Sequence, residues 1–212
     1  MGFMISPNDH ILFFGDSITD AGRDRSAAPG DCNGWGSGYV HHLAARLGAD
    51  LAGYELIFSN KGISGNRIYD LESRLQDDVL AHNPNVASIL IGINDVGRRY
   101  DSGLKSDIAE FKASYRRILE KLAAAEIEIV LLEPFVLPVP PDRSMWREDL
   151  NPKIDAIREL ACEFGTTLVP LDGIFAAAST RRDAEFWLPD GVHPSPAGHA
   201  LIAEAWLSAV VG

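Results

Sequence analysis

Two short polar motifs near opposite ends of the chain contain the residue types of a serine nucleophile and its base. The first spans residues 15–20, reads Gly-Asp-Ser-Ile-Thr-Asp and directly follows the apolar run at residues 11–14. A buried strand that ends there would hold the Ser17 hydroxyl exposed on a rigid turn. The second motif spans residues 190–194 and reads Asp-Gly-Val-His-Pro. A short turn there can direct the Asp190 carboxylate to one ring nitrogen of His193, which leaves the other nitrogen to accept the serine proton. The two motifs predict serine hydrolase chemistry.

Alternating apolar runs and helical patterns predict the elements that position these residues. Five apolar runs predict buried strands, at residues 11–14, 56–58, 86–91, 127–132 and 167–171. Apolar residues at helical spacing predict helices between them, through Ile68, Leu71, Leu75 and Val79, and through Ile108, Phe111, Tyr115, Ile118 and Leu122. Asn151-Pro152 predicts the start of another helix, which ends at Gly165, and Ser195-Pro196 the start of the last. This alternation predicts an α/β fold, a three-layer α/β/α sandwich around a five-stranded parallel sheet.

Length, composition and charge predict a single domain over residues 1–212 and exclude some partners. The chain has 212 residues, 46% of them hydrophobic, which is enough for a substantial core. Its net charge is −11 and its 19 Lys and Arg are scattered, so we expect no nucleic-acid partner. The first ten residues lack a basic region and a long apolar segment, so we expect neither a secretory signal nor a membrane anchor, and a cytoplasmic location. Cys32 and Cys162 form no C-x-x-C pattern and are predicted to be free thiols.

The predicted topology brings distant motifs to one edge of the sheet. Ligands of such sheets bind beyond the carboxyl ends of the strands. Ser17 follows the first predicted strand, residues 60–65 follow the second, residues 92–95 follow the third, and His193 follows the fifth. We therefore expect these loops to meet. The proline-rich residues 134–141 predict a loop beside the fourth strand, either a rigid connection or a wall of a substrate cleft or subunit contact.

Four motifs, in this order, resemble the SGNH or GDSL hydrolase superfamily, whose name lists its Ser, Gly, Asn and His. Here these residues are Ser17, Gly62, Asn94 and His193. The resemblance implies a flavodoxin-like SGNH hydrolase fold and catalysis without metal or cofactor. It also implies that Ser17 is the nucleophile, His193 the general base and acid, and Asp190 its orienting partner. The backbone amides of Ser17 and Gly62 and the side-chain amide of Asn94 would form the oxyanion hole, in which each donor is worth about 3 kcal/mol.

The stretch from Gly15 to Arg23 resembles the bacterial carbohydrate acetylesterase branch, especially intracellular acetylxylan esterases. This resemblance implies a serine carboxylic ester hydrolase that removes acetyl groups from xylo-oligosaccharides or related sugars, and members of the branch can form homo-oligomers. Asp20 and Arg23 could hydrogen-bond sugar hydroxyls, and Trp187 could stack on a sugar ring. Their structural alternatives are a salt bridge for the first two residues and a core aromatic residue for Trp187.

Other functions remain open at this stage. A lysophospholipase or thioesterase of the same superfamily would prefer long acyl chains, and a non-catalytic sugar-binding protein could retain the pocket. A metallophosphoesterase could use oxygen and nitrogen ligands from Asp16, Asp20, Asn94, Asp95 and His193. We favour structural roles for Asp16 and Asp95, and surface or packing roles for His10, His41, His42, His82 and His199.

Overall fold

A parallel sheet of five strands forms the centre of the computed structural model, which describes residues 5–211. The strands are β1 His10–Gly15, β2 Ile57–Gly62, β3 Val86–Leu90, β4 Glu128–Leu132 and β5 Thr167–Val169. Their spatial order is β2-β1-β3-β4-β5, the order of flavodoxin-like sheets. All five predicted strands are confirmed. The prediction about the start of the chain rests partly on residues 1–4, which lie outside the described residues, as does Gly212.

Nine α-helices within residues 5–211 surround the sheet. They are α1 Ser17–Asp20, α2 Tyr39–Asp50, α3 Ile68–Asp78, α4 Ile93–Ser102, α5 Ile108–Ala124, α6 Arg147–Phe164, α7 Leu171–Ser179, α8 Ala184–Trp187 and α9 Pro196–Val210. The predicted ends at Gly165 and Ser195 are confirmed: Gly165 has a left-handed φ of 65°, and the Ser195 side chain accepts from Gly198 N. No helix of the described part of the chain is long and apolar enough to cross a membrane.

Two apolar clusters lie on opposite faces of the sheet and give the fold its three layers. Successive strand side chains point to opposite faces, so Ile11 and Phe13 of β1 belong to one cluster and Leu12 and Phe14 to the other. The first cluster packs the sheet against α2, α7 and α9, and the second against α3 and α5; α6 contributes to both. The predicted three-layer sandwich is therefore confirmed.

Strand β2 is longer than predicted, because the residues of its second half are mostly polar and do not continue the apolar run by which the strand is predicted. It extends through Gly62, which pairs with Gly15, whereas the sequence predicts an end at residue 58. Ser59 and Asn60 are buried because each has a hydrogen-bond partner. Ser59 Oγ bonds His10 Nε2 at 2.8 Å, and Asn60 Nδ2 donates to the Thr19 carbonyl at 2.6 Å. Residues 60–62 therefore belong to the sheet, and the loop after β2 begins at Ile63.

Helix α6 begins earlier than predicted, and β5 ends earlier. The helix begins at Arg147 and includes Pro152, which the sequence places at its start. The missing N–H of Pro152 leaves one carbonyl of the first turns without its helical partner, but Pro152 is exposed, so water can satisfy that carbonyl. Leu171, predicted as the end of the fifth strand, is instead the first residue of α7. Cys32 and Cys162 are exposed and form no disulfide.

Candidate active site

The nucleophile candidate Ser17 is the first residue of α1, directly beyond β1. Asp16 caps this helix: its Oδ1 accepts from Ile18 N at 3.0 Å. Because Ser17 is at the helix N-terminus, its own backbone N–H has no intrahelical acceptor. Gly15 permits the close packing beneath, since a side-chain carbon there would lie 2.4 Å from Thr19 Oγ1 and 2.5 Å from the Leu90 carbonyl oxygen. The serine is thus held on a tightly packed turn, as expected.

Ser17, His193 and Asp190 form a continuous hydrogen-bonded relay. Ser17 Oγ lies 2.9 Å from His193 Nε2, and His193 Nδ1 lies 2.7 Å from Asp190 Oδ2. The second carboxylate oxygen accepts from the backbone N–H groups of His193 at 2.7 Å and Val192 at 2.9 Å. Partial burial by itself raises the pKa of Asp190, but these hydrogen bonds outweigh it and hold the pKa below its usual value. The arrangement leaves Nε2 facing the serine hydroxyl.

The proline-rich loop at residues 134–141 supports the turn that carries Asp190 and His193. Leu137 N donates to the Gly191 carbonyl at 2.9 Å. Gly191 has a φ of 81°, and a side-chain carbon on it would lie 2.4 Å from the Val139 carbonyl oxygen and 2.5 Å from that of Leu137. Only glycine permits this contact. The loop therefore packs against the turn of the relay and supports it.

Gly62 does not have the predicted position of an oxyanion donor. Its N–H lies within β2 and donates to Asn60 Oδ1 at 2.8 Å, so this donor is already used. The reason for glycine here is packing, because a side-chain carbon would lie 2.2 Å from Asp20 N in α1. The structure thus contradicts the prediction that the Gly62 amide faces the substrate.

The turn that follows β2 presents a different glycine. Gly65 has a φ of 83°, and its N–H has no hydrogen-bond acceptor among residues 5–211. The turn is held between β1 and α4: Ile63 N donates to the Gly15 carbonyl at 3.0 Å, and Asn94 Nδ2 donates to the Asn66 carbonyl at 3.0 Å. Sequence reasoning missed Gly65. The available signal was the second glycine of the motif, which lies in a turn and not in a strand.

Asn94 lies at the start of α4, directly beyond β3. Gly92, whose φ of 130° is accessible to glycine, turns the chain from the strand into the helix. One N–H of the Asn94 amide is used by the Asn66 carbonyl, and the amide group has a second N–H that can bind another acceptor. The fold therefore brings the loops after β1, β2 and β3 together with the His193 turn, as predicted.

Arg74 of α3 bonds to the ends of β1 and β2 and to the turn that follows β2. Its guanidinium donates to the carbonyls of Gly15 at 3.0 Å and Lys61 at 2.8 Å, and to Asn66 Oδ1 at 2.8 Å. It also pairs with Asp78 at 2.7 Å. Gly15 precedes the turn that carries Ser17, Lys61 lies near the end of β2, and Asn66 belongs to the turn that contains Gly65. One half-buried side chain thus links three segments of the site, whereas the sequence pattern predicts only a core-facing role for this helix.

The three predicted substrate-binding residues make mainly structural contacts. Asp20 is only 4% exposed, pairs with Arg25 at 2.7 Å and accepts from Ser64, which contradicts its predicted contact with sugar. Arg23 donates through Nε to the Gly62 carbonyl at 2.9 Å, so the salt bridge of Asp20 is with Arg25 instead. Trp187 is partly exposed and packs against the core, and its indole N–H donates to the carbonyls of Ala178 and Arg182.

Two buried carboxylates beside the site hold backbone in place. Burial raises the pKa of Asp16 to about 7, and burial likewise raises that of Asp95 to about 7. Asp95 Oδ2 accepts from Ile68 N at 3.2 Å and so joins the starts of α4 and α3. Among residues 5–211, no group of three or more His, Cys, Asp or Glu side chains is arranged to hold a metal ion.

The chain is similar to known proteins over most of its length. Residues 13–201 match the GDSL-like Lipase/Acylhydrolase family. An acetylxylan esterase of Geobacillus stearothermophilus is 32% identical over 207 residues, which are 96% of this chain and 94% of that protein. The structure of Axe2, an acetylxylan esterase from the same organism, superposes with a TM-score of 0.90 at 32% identity, and the match covers 98% of this chain and 96% of that one. A GDSL-like protein of Parabacteroides merdae superposes with a TM-score of 0.95 at 36% identity, over 100% of this chain and 99% of its own.

Two further Axe2 structures are similar to this chain. They are described as catalytic mutants, in which a serine and a histidine, respectively, are replaced by alanine, and both superpose with a TM-score of 0.90.

Proposed function

Because the chain belongs to the GDSL-like lipase/acylhydrolase family and is a serine ester hydrolase, we propose that it removes acetyl groups from xylo-oligosaccharides or related sugars. The observation that carries the proposal is the relay of Ser17, His193 and Asp190, in a chain 32% identical to an acetylxylan esterase. The side chains of His193 and Asp190 are 55% and 46% exposed, so a bulky sugar alcohol can approach them.

In the proposed mechanism, the Ser17 hydroxyl attacks the ester carbonyl carbon while His193 Nε2 accepts its proton. Asp190 stabilises the resulting imidazolium and keeps its ring oriented. The tetrahedral intermediate collapses to an acetyl-serine, and His193 returns the proton to the departing sugar oxygen. A water molecule then attacks the acetyl-serine with His193 again as base, and acetate leaves as the Ser17 hydroxyl forms again.

For the oxyanion we propose three donors: the Ser17 N–H, the Gly65 N–H and the side-chain amide of Asn94. The Gly65 N–H replaces that of Gly62 in this proposal because the Gly62 N–H is bonded to Asn60. The Ser17 N–H is at a helix start and has no acceptor within residues 5–211, and the Asn66 carbonyl orients the Asn94 amide. Donors held in this way need no rearrangement when negative charge develops.

The experiment that tests the substrate compares acetate release from acetylated xylo-oligosaccharides with hydrolysis of p-nitrophenyl esters of increasing acyl length. We expect rapid deacetylation and a steep decline in kcat/KM beyond short acyl chains. Faster hydrolysis of long chains with little acetate release would show a lysophospholipase or thioesterase instead. Labelling of the wild type, but not of Ser17→Ala, by an organofluorophosphonate would exclude a purely sugar-binding protein.

A further inference from the structure

Arg143 lies at the edge of the candidate active site and is one of the arginines that have no acidic partner within residues 5–211. Most arginines of this acidic protein pair with a carboxylate within 4.0 Å, among them Arg25, Arg99 and Arg147. Arg143 has no such partner and no side-chain hydrogen bond within residues 5–211, although Asp142 precedes it in sequence. Its guanidinium donors are therefore available to a ligand.

Contacts with both sides of the site define the position of Arg143. Arg143 belongs to a short 3-10 helix, Pro141–Trp146. It packs against Gly191, the residue that follows Asp190: a side-chain carbon added to Gly191 would lie only 3.0 Å from Arg143 Cδ. The Trp146 ring would lie 3.2 Å from such a carbon on Gly97. Gly97 is one helical turn after Asn94 and on the same face of α4. Arg143 and Trp146 therefore lie between the turn that carries Asp190 and His193 and helix α4, which carries Asn94.

Aromatic stacking holds the Arg143 guanidinium in place. Its central carbon lies 4.3 Å from the centre of the Trp146 ring, and Trp146 stacks on Tyr100 at 5.4 Å with 15° between the ring planes. The Tyr100 hydroxyl oxygen in turn lies 2.8 Å from the Met145 carbonyl and 2.9 Å from Asp149 Oδ2, and it has one proton to donate to either acceptor. A guanidinium fixed in this way loses little conformational freedom when it binds a ligand.

The chemistry of this group indicates which ligand it would bind. A guanidinium offers a planar set of N–H donors that matches the two oxygens of a carboxylate. The net charge of −11 repels anions at a distance, but charges farther than about 8 Å are screened at physiological ionic strength. A nearby unpaired arginine then determines the local preference.

We propose that Arg143 binds a carboxylate on the leaving group, so that the enzyme prefers acetyl esters of acidic sugars, which carry a uronic acid, over neutral ones. This inference rests on the proposed sugar deacetylation and specifies its substrate class. Arg143 acts on substrate choice, and the reaction at Ser17 is the same for both kinds of ester.

The test uses two substrates that differ only in charge: an acetylated xylo-oligosaccharide with a glucuronic acid branch, and the same compound with its carboxyl reduced to an alcohol. We expect the wild type to prefer the acidic form by roughly tenfold in kcat/KM, as for a hydrogen bond to a charged group. Arg143→Gln should reduce this ratio to about one, and Arg143→Lys should give an intermediate ratio. Arg182→Gln is the matched control, since Arg182 also stacks on an aromatic ring, 4.4 Å from the centre of Phe186.

A wild-type ratio near one, a ratio unchanged in Arg143→Gln, or an equal loss on both substrates would overturn the inference. A second pair, 4-acetoxybenzoate and its methyl ester, separates this result from the proposed function. If neither oligosaccharide is hydrolysed but this pair shows a preference that depends on Arg143, the sugar assignment fails and the carboxylate site stands. If neither pair shows a preference, the carboxylate site is rejected whatever happens to the sugars.

Discussion

At the scale of single residues, the candidate site depends on which polar atoms already have partners. Asp190 uses one oxygen for two backbone N–H groups and the other for the His193 ring. The Gly62 N–H donates to Asn60, whereas the Gly65 N–H has no acceptor in the described part of the chain, although both glycines belong to one short motif. Residues of the same type therefore differ in the hydrogen bonds that they can still form. The bonds of Asp190 and of Gly65 each give one prediction.

Asp190→Asn should abolish most activity without unfolding the protein. The asparagine oxygen can still accept from Val192 N and His193 N, but its NH₂ group cannot accept the proton on His193 Nδ1. The ring would then adopt the tautomer with its proton on Nε2, which cannot accept the Ser17 proton. We expect kcat for p-nitrophenyl acetate to fall about 10⁴-fold, as in other serine triads, with an unchanged circular dichroism spectrum. Activity within tenfold of the wild type would refute the role of Asp190.

Gly65→Ala should lower kcat more than its effect on stability explains. Gly103→Ala is the matched control, because Gly103 has a similar φ of 71°, compared with 83° for Gly65, and neither position has an atom closer than 3.4 Å to a new side-chain carbon. Both variants should lose about 1 kcal/mol or more of stability from the left-handed backbone. Only Gly65→Ala should reduce kcat, by at least roughly tenfold, because the shifted turn misplaces one oxyanion donor. Equal kcat values in the two variants would exclude the Gly65 amide from the oxyanion hole.

At the scale of elements, the site is assembled where β1, β2 and β3 end, and Arg74 of α3 holds the ends of β1 and β2 together. Arg74 bonds to the last residue of β1, to the backbone of β2 and to the turn that contains Gly65. Its guanidinium also lies 4.3 Å from the centre of the Phe14 ring. A lysine has no planar set of donors with which to reach all of these groups.

Arg74→Lys should therefore impair catalysis while α3 remains folded. Arg46→Lys is the control, since Arg46 also pairs with an aspartate four residues later, Asp50, but on an exposed helix surface. We expect Arg74→Lys to lower kcat by roughly tenfold or more with a smaller change in KM, because the donors for the oxyanion lose their alignment. The measurement is steady-state kinetics together with thermal melting. A variant that melts earlier but retains wild-type kcat would show that Arg74 only stabilises the fold.

At the scale of the whole molecule, a half-buried histidine joins two helices on one face of the sheet. His199 of α9 accepts through Nδ1 from Tyr39 N, at the start of α2, at 3.1 Å and stacks on the Tyr39 ring. Burial lowers the pKa of His199 to about 4, because the charged ring would lose water contacts. This histidine is a packing residue, in agreement with the sequence prediction.

This lowered pKa predicts a loss of stability in acid. Between about pH 6.5 and pH 4 the unfolded chain binds a proton at His199 and the folded chain does not, so the free energy of unfolding falls as pH falls, by at most about 1.4 kcal/mol per pH unit. Asp16 and Asp95 act in the opposite direction, since their raised pKa values favour the folded state as pH falls from 7. A comparison of variants isolates the contribution of His199.

In His199→Asn the amide oxygen can still accept from Tyr39 N, and the titrating group is absent. We expect the stability of this variant to rise relative to the wild type as pH falls from 7 to 5, measured by urea unfolding. Parallel pH profiles for His199→Asn and the wild type would contradict the prediction.

Most of the fold and part of the site were predictable from local patterns. The five strands, the layers, the C-terminal end of α6 and the start of α9 follow from apolar spacing and cap residues, which act over a few neighbours. The second half of β2 was not predictable, because Ser59 and Asn60 are buried by partners far away in sequence. Arg74 was missed for the same reason: its partners belong to three other segments.

The sequence by itself determined the class of chemistry, because Ser17, Asp190 and His193 have a reactivity and spacing that few other functions require. It also determined the order of strands and helices, and hence the edge of the sheet at which the loops meet. Only the tertiary structure decided that the Gly62 N–H is bonded to Asn60, that Asp20 is buried against Arg25, and that Arg143 lies beside Gly191 without an acidic partner among residues 5–211. Hydrogen-bond occupancy and burial depend on contacts between distant segments, and no local pattern encodes those contacts.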